Sequence, residues 1–363
     1  MNHITLVAGA RPNFMKVAPI IHEIRKKRGQ GIDISFSLVH TGQHYDKKMS
    51  GNFFEQLNIP LPDKNLNAGG GTQAEQTGAI MLRFEEFLME NPTDLVLVVG
   101  DVTSTMACAI TAQKLQINVA HVEAGIRSDD WTMPEEINRL VTDAITNYFF
   151  TTSRVANSNL EASGVNQKNV FFVGNCMIDT LILNRPRFVK PKIWDDLSLN
   201  NKSYFMMTLH RPANVDEKSK LSRLMEEIMN NSGKMPIIFP VHPRTKNILE
   251  DIGIKYPRLH MVDPMNYLEF NYLIENSFAV ITDSGGITEE TTLMGIPCLT
   301  LRDNTERPET VTIGTNELIG TNPKNIAPAM EKLFSGKWKK GSIPELWDGR
   351  AAERIVETRI TLS

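Results

Sequence analysis

Short apolar runs, each separated from the next by a helix-patterned stretch, limit what this chain can fold into more than any other feature. In the first half they are Ile4–Val7, Ile34–Val39, Leu95–Val99, Val119–Val122, Tyr148–Phe150 and Val170–Val173. After an irregular interval with prolines and lysines, the rhythm resumes at Tyr204–Leu209, Ile237–Val241, His260–Val262, Ala279–Thr282 and Cys298–Leu301. Strands that alternate with helices are joined by crossovers, so they pair in parallel with both sheet faces covered. The expectation is an α/β chain with two Rossmann-like, doubly wound domains facing across a cleft. Its parts are a first domain over 1–182, a linker over 183–203, a second domain over 204–346, and a C-terminal helix over 347–363 able to pack back on the first domain. The 363 residues suffice for two cores, and 41% hydrophobic with 22% charged residues excludes disorder and fibrous repeats.

The charge balance, 39 Lys and Arg against 42 Asp and Glu, leaves a net charge of -3. That is too even for a protein held to nucleic acid or a membrane by non-specific attraction, so neither is an expected partner. The cysteines Cys108, Cys176 and Cys298 are odd in number, lack zinc-site spacing and sit beside apolar residues, the pattern of buried thiols. The N-terminus runs into a strand pattern without a basic leader, and no apolar run reaches the ~18 residues of a membrane span, which places the chain in the cytoplasm.

Nearly every apolar run is followed by a cluster of functional residue types. These are Gly9-Ala10-Arg11-Pro12-Asn13, His40 to His44, Gly100-Asp101, Glu123-Ala124-Gly125, His210-Arg211, His242-Pro243-Arg244, Asp283 to Gly286 and Arg302-Asp303. Ligands of open α/β sheets bind outside the carboxyl ends of the strands, so the clusters mark a ligand site; the plainer alternative is that loops are polar.

Within them, Ser284-Gly285-Gly286 precedes a helical pattern and suits a phosphate at a helix N-terminus, or a tight turn with Ser284 as N-cap. Glu289 and Glu290 read as first-turn acids complementing the helix dipole or, beside a nucleotide, as a ribose ligand. Arg11 and Lys16 read as solvated cations or anion ligands. Asp101, Glu123, Glu135 and Glu136 are candidate general acids and bases, with Asp101 alternatively capping the helix near Thr103. His121 and Glu123 at spacing two, and His40 and His44 at spacing four, raise metal binding, but no third ligand accompanies them. The chain has neither GxGxxG nor GxxxxGK[ST], which argues for chemistry without a dinucleotide cofactor.

These strings together resemble the UDP-N-acetylglucosamine 2-epimerase family of the non-hydrolysing type. They run from Gly9-Ala10-Arg11-Pro12 with Lys16 and Thr41-Gly42-Gln43-His44 through His121 to Arg127, Met133 to Arg139, Gly174-Asn175 and His210-Arg211 to Asp283–Glu290 and Thr305 to Glu309. The resemblance implies a GT-B-type fold, no cofactor and no metal. It implies a cytoplasmic homodimer that interconverts UDP-N-acetylglucosamine and UDP-N-acetylmannosamine for surface polysaccharide, by elimination and re-addition of UDP through a glycal.

Carried over by position, Arg11, Lys16, His210 and Ser284-Gly285-Gly286 hold the diphosphate, Glu290 the ribose, and Phe270 with the backbone near Met265 the uracil. Arg307 faces the nucleotide. Asp101, Glu123 and Glu135 are the acid and base groups, with His210 counted in the catalytic set. Gln43, His44 and His242 line a second, regulatory substrate site; Asp46 beside it argues against strict dependence on an activating second substrate. The string His210-Arg211-Pro212-Ala213-Asn214 departs from the family's HR-x-E-N, so 2-epimerisation of a UDP-linked fucosamine or diacetamido-uronic acid remains open. Hydrolysing epimerases, GT-B glycosyltransferases and a catalytically silent nucleotide-sugar sensor are the other readings.

Overall fold

In the computed structural model, which describes residues 2–42, 54–241 and 243–362, the chain divides into two compact units. One comprises Met1–Leu183 with Glu345–Ser363, the other Asn184–Pro344.

The first unit is built on a seven-stranded sheet ordered β3-β2-β1-β4-β5-β6-β7. Its strands are β1 (Asn2–Ala8), β2 (Ile34–His40), β3 (Lys64–Asn65), β4 (Leu95–Val99), β5 (Val119–Val122), β6 (Tyr148–Thr151) and β7 (Val170–Phe172), and every recorded pairing is parallel. Central β4, Leu-Val-Leu-Val-Val, is buried at every residue, as a strand covered on both faces must be. Helix Gln73–Glu90 opens with a reciprocal Thr72/Glu75 capping box and buries Ile80, Phe84, Phe87 and Leu88. The C-terminal helix Ala351–Thr361 belongs to this unit: the buried Asp179 carboxylate accepts the Ala351 and Ala352 backbone N–H groups at 3.2 and 2.8 Å.

The second unit repeats the plan with six strands ordered β10-β9-β8-β11-β12-β13. They are β8 (Phe205–Thr208), β9 (Ile237–Pro240), β10 (Leu259–Val262), β11 (Ala279–Thr282), β12 (Cys298–Thr300) and β13 (Asn316–Leu318), again parallel throughout. Helix Lys218–Asn231 buries Leu221, Leu224, Met225, Ile228 and Met229, the i, i+3, i+4, i+7, i+8 stripe that seats a helix on a sheet. Residues 184–203 lie within this unit, where Trp194 packs edge-on against Tyr204 and Tyr272 at 5.8 and 5.4 Å. All three cysteines are buried and free. Two doubly wound α/β units are thus present, as the alternation of runs predicts. Both strand orders reverse direction once, between β1 and β4 and between β8 and β11, and such switch points open a crevice at the strand ends.

Candidate active site

In the first unit the site begins where β1 ends. Asn13 accepts the Gly9 and Ala10 N–H groups at 3.1 and 2.9 Å and donates to the Val99 carbonyl at the end of β4. That pins the switch-point turn and starts helix Arg11–Gly29 with Arg11 exposed in its first turn. Lys16, one turn on, is buried and meets Glu123 at 2.8 Å, the carboxylate being 2% exposed. Gly100 turns at φ +68°, which L side chains rarely adopt, and a Cβ there would lie 2.8 Å from the Lys16 Nζ, so a side chain would strain the turn and displace the lysine. Glu123 holds φ +73°, a conformation a side chain rarely adopts and that persists only where its surroundings impose it.

One helix, Pro134–Ala144, reaches three of the candidate carboxylates. Glu135 sits half-buried in its first turn. Asn138 donates to the Asp101 carbonyl at 2.8 Å, and Arg139, buried, reaches the Asp101 carboxylate at 3.3 Å and Glu136 at 3.0 Å. Glu136 accepts Ser128 N–H and O–H at 2.9 Å and Asp129 N–H at 3.3 Å, so it holds the preceding loop together. At the helix end Asp143 takes His121 Nδ1 at 2.7 Å, the Arg127 guanidinium at 2.7 Å and the Gly125 N–H at 3.0 Å. Burial alone would raise the Asp143 carboxyl, but His121 and Arg127 outweigh it and hold it below the usual range.

In the second unit the site again straddles the switch point. Asp283, fully buried after β11, accepts His210 Nδ1 at 2.7 Å, the His210 and Arg211 N–H groups at 3.1 and 3.0 Å, and the Asn214 amide at 3.1 Å. These donors keep its carboxyl below the usual range against the opposing effect of burial. The His210 side chain is 60% exposed, so the buried acid orients an imidazole whose Nε2 edge faces outward. Helix Gly285–Met294 starts beside it, and Ser284 makes no capping hydrogen bond to it. The helix thus presents its first-turn N–H groups uncapped by that side chain, the arrangement that receives an anion. Arg302 grips Glu306 through two hydrogen bonds of 2.7 and 2.8 Å, bringing the Glu306 carboxyl down to about 2 despite burial. Arg307 pairs with buried Glu289 at 2.6 Å. Burial pushes Glu290 up to about 7, the Asn271 amide opposing it. Met265 and Phe270 are half-buried at the edge of the apolar cluster around Tyr204, Met206 and Val280.

Several expectations change. Glu289 and Glu290 are not first-turn acids: the helix begins at Gly285, its first turn carries no acid, and both are buried. Ser284 does hold the N-cap position of helix Gly285–Met294 but makes no side-chain cap bond, whereas Asp101 is not a cap: the N-cap of helix Thr103–Lys114 is Val102 and the Asp101 carboxylate turns to Arg139. His121 and Glu123 do not converge: β5 stops at Val122, and the left-handed turn at Glu123 sends its carboxylate to Lys16 while His121 goes to Asp143. Among the described residues no group of three His, Cys, Asp or Glu could hold a metal ion. Gln43, His44 and His242 lie outside the described residues. Sequence reasoning gave no task to Asp143, Asn138, Arg139 or Asn214. Asp143 did carry a signal, because an acid in the last turn of a helix opposes the dipole and calls for a dedicated partner.

The comparisons with known proteins agree with this architecture. The model of the family described as UDP-N-acetylglucosamine 2-epimerase matches residues 26–359. The UDP-N-acetylglucosamine 2-epimerase of Methanocaldococcus jannaschii is 40% identical over 373 residues, 97% of each chain. A UDP-2,3-diacetamido-2,3-dideoxy-D-glucuronate 2-epimerase of Pseudomonas aeruginosa is 37% identical over 360 residues, 98% of each. The crystal structure of the M. jannaschii enzyme in complex with UDP-GlcNAc and UDP superposes with a TM-score of 0.88 at 39% identity, covering 99% of this chain and 100% of that one. The chain therefore belongs to the UDP-N-acetylglucosamine 2-epimerase family and is an isomerase. Among the described residues, no helix is long and apolar enough to cross a membrane.

Proposed function

We propose that this protein interconverts UDP-N-acetylglucosamine and UDP-N-acetylmannosamine without hydrolysing them, in the supply of precursors for surface polysaccharide. The observation that carries the reading is the 40% identity across 97% of an epimerase with that substrate in its name. The oriented His210, beside an uncapped helix start, supports it.

The C2 proton has no neighbouring carbonyl to acidify it. Departure of UDP by cleavage of the C1–O bond must lead, with positive charge building on the ring as the C2 proton leaves. His210, the Ser284-Gly285-Gly286 N–H groups, Arg11 and Lys16 take the charge growing on the diphosphate, an effect of several kcal/mol per oriented donor. One carboxylate among Asp101, Glu123 and Glu135 removes the C2 proton to give the glycal. Another returns a proton to the opposite face, and UDP re-adds at C1. Glu290 accepts the ribose hydroxyls, Arg307 faces the nucleotide, and Phe270 with the Met265 backbone flanks the uracil.

Proton NMR of UDP-N-acetylglucosamine with enzyme in deuterium oxide tests the reading. Deuterium at C2 of both epimers with the nucleotide sugar intact is the expected result; free N-acetylmannosamine and UDP, or no exchange, overturns it. The P. aeruginosa relative favours a second reading, a 2-epimerase acting on a UDP-linked diacetamido-uronic acid, which the same assay run with that sugar resolves.

The chain is further proposed to act as a homodimer through helices of the first unit. On helix Gln73–Glu90, Leu82 and Met89 are 66% and 73% exposed at a spacing of seven, so they share one face. Light scattering showing a monomer at micromolar concentration excludes it.

A further inference from the structure

His121 makes no recorded hydrogen bond to a candidate catalytic side chain, yet it is fully buried and both ring nitrogens are engaged. Nε2 lies 2.8 Å from the Gly100 carbonyl, which can only accept, and Nδ1 lies 2.7 Å from the Asp143 carboxylate. Gly100 is the residue before Asp101, at a left-handed turn where a side chain would be strained. Asp143 in turn takes the Gly125 N–H and Arg127, closing the left-handed turn Glu123–Gly125 from its far side. A single imidazole and a single carboxylate thus join the two backbone turns that carry Asp101 and Glu123. Such a tie matters because two proton-transfer groups must stay in register, and a misplacement of about 1 Å can cost ~100-fold in rate.

We infer that His121 and Asp143 are positioning residues, a buried clamp that sets the separation of the Asp101 and Glu123 carboxylates. The inference rests on the assignment of those carboxylates to proton transfer in the proposed function. The clamp needs both ties of the ring. The amide of Gln at position 121 reaches as far as Nε2 and can still donate to the Gly100 carbonyl but leaves Asp143 without its Nδ1 partner, whereas the shorter Asn reaches only as far as Nδ1 and loses the Gly100 tie.

The test compares full-length His121→Gln and His121→Asn with the wild type, reading kcat and KM for UDP-N-acetylglucosamine by C2 exchange in deuterium oxide, UDP affinity by calorimetry, and thermal midpoint. The expected result is a kcat lower by about 10- to 100-fold in both His121→Asn and His121→Gln, since each cuts one end of the clamp, with KM and UDP affinity within about threefold of wild type. An unchanged kcat in either folded variant, or a UDP affinity that falls in step with kcat, overturns the clamp. If neither variant folds, Arg127→Gln decides, since it removes an outer partner of Asp143 and leaves the ring in place. A lower kcat at constant KM supports the clamp, and an unchanged kcat refutes it. A wild type that exchanges no proton with this sugar defeats the functional reading instead, so the two failures are told apart.

Discussion

The two units place polar residues at equivalent strand ends, and both bury ion pairs there, but they differ in the groups that flank the switch point. In the first, the polar side chains pair with one another: Lys16 with Glu123, Arg139 with Asp101 and Glu136, and His121 with Asp143. In the second, one buried carboxylate, Asp283, collects its donors so that an exposed imidazole stands in a fixed orientation beside a helix start that Ser284 leaves uncapped. The first site is organised internally before any substrate arrives; the second is organised to receive charge from outside. Proton transfer asks for the former, because positions of acid and base must be set in advance. Leaving-group capture asks for the latter, because the anion completes the set of donors.

The comparison breaks most visibly at Glu123. Glu123→Gln should lower turnover at least ~100-fold, as loss of a positioned acid or base does. It should also destabilise the first unit by roughly 3 kcal/mol, since Lys16 is left buried without its counter-charge. Asp101→Asn and Glu135→Gln, at more accessible positions, should match the loss of rate without that loss of stability. Exchange kinetics alongside chemical denaturation check both halves, and a fully active Glu123→Gln would defeat the assignment.

In the second unit, His210→Ala should cost about 100-fold in turnover. Because the side chain is largely exposed but is one of several donors to buried Asp283, the same change should cost only about 1 kcal/mol of stability, well short of the loss at Glu123. A variant that lost as much stability as Glu123→Gln would mean the imidazole is structural, and the contrast between the units would fail.

Titration of Glu290 gives a smaller effect of defined sign. Its carboxyl is raised by burial to about 7, so the native state holds a proton that the unfolded chain has released, and this group's contribution to stability falls as pH rises from about 4.5 through 7. Ribose hydroxyls donate to the anion, so UDP affinity should move oppositely, increasing as pH rises through 7. Calorimetry of UDP binding between pH 5.5 and 8.5 should show that slope, and Glu290→Gln should flatten it.

The smallest effect is expected at Ser284. Replacing an N-cap serine ordinarily costs ~1 kcal/mol, but this side chain makes no cap bond, so Ser284→Ala should leave stability unchanged and weaken UDP binding only modestly. A full cap penalty would show that the serine satisfies the helix rather than the ligand.

Element type, parallel pairing and the identity of the strand-end clusters were legible in the sequence because they depend on local pattern: apolar runs of strand length, helix-period stretches and motif strings. β3 and β13 were missed for the same reason, being edge strands of two and three residues, Lys64–Asn65 and Asn316–Leu318, with no apolar run to announce them. What each functional group touches was decided only by the tertiary structure. Lys16 finds Glu123 across 107 residues of chain and His210 finds Asp283 across 73, and nothing local to either residue specifies the other. Burial of Glu289 and Glu290, the left-handed turn at Glu123 and the reach of helix Pro134–Ala144 to Asp101 and His121 follow from how helices seat on a closed-packed sheet. Packing sets those contacts through the whole unit at once, whereas periodicity reports only the face each residue shares with its neighbours.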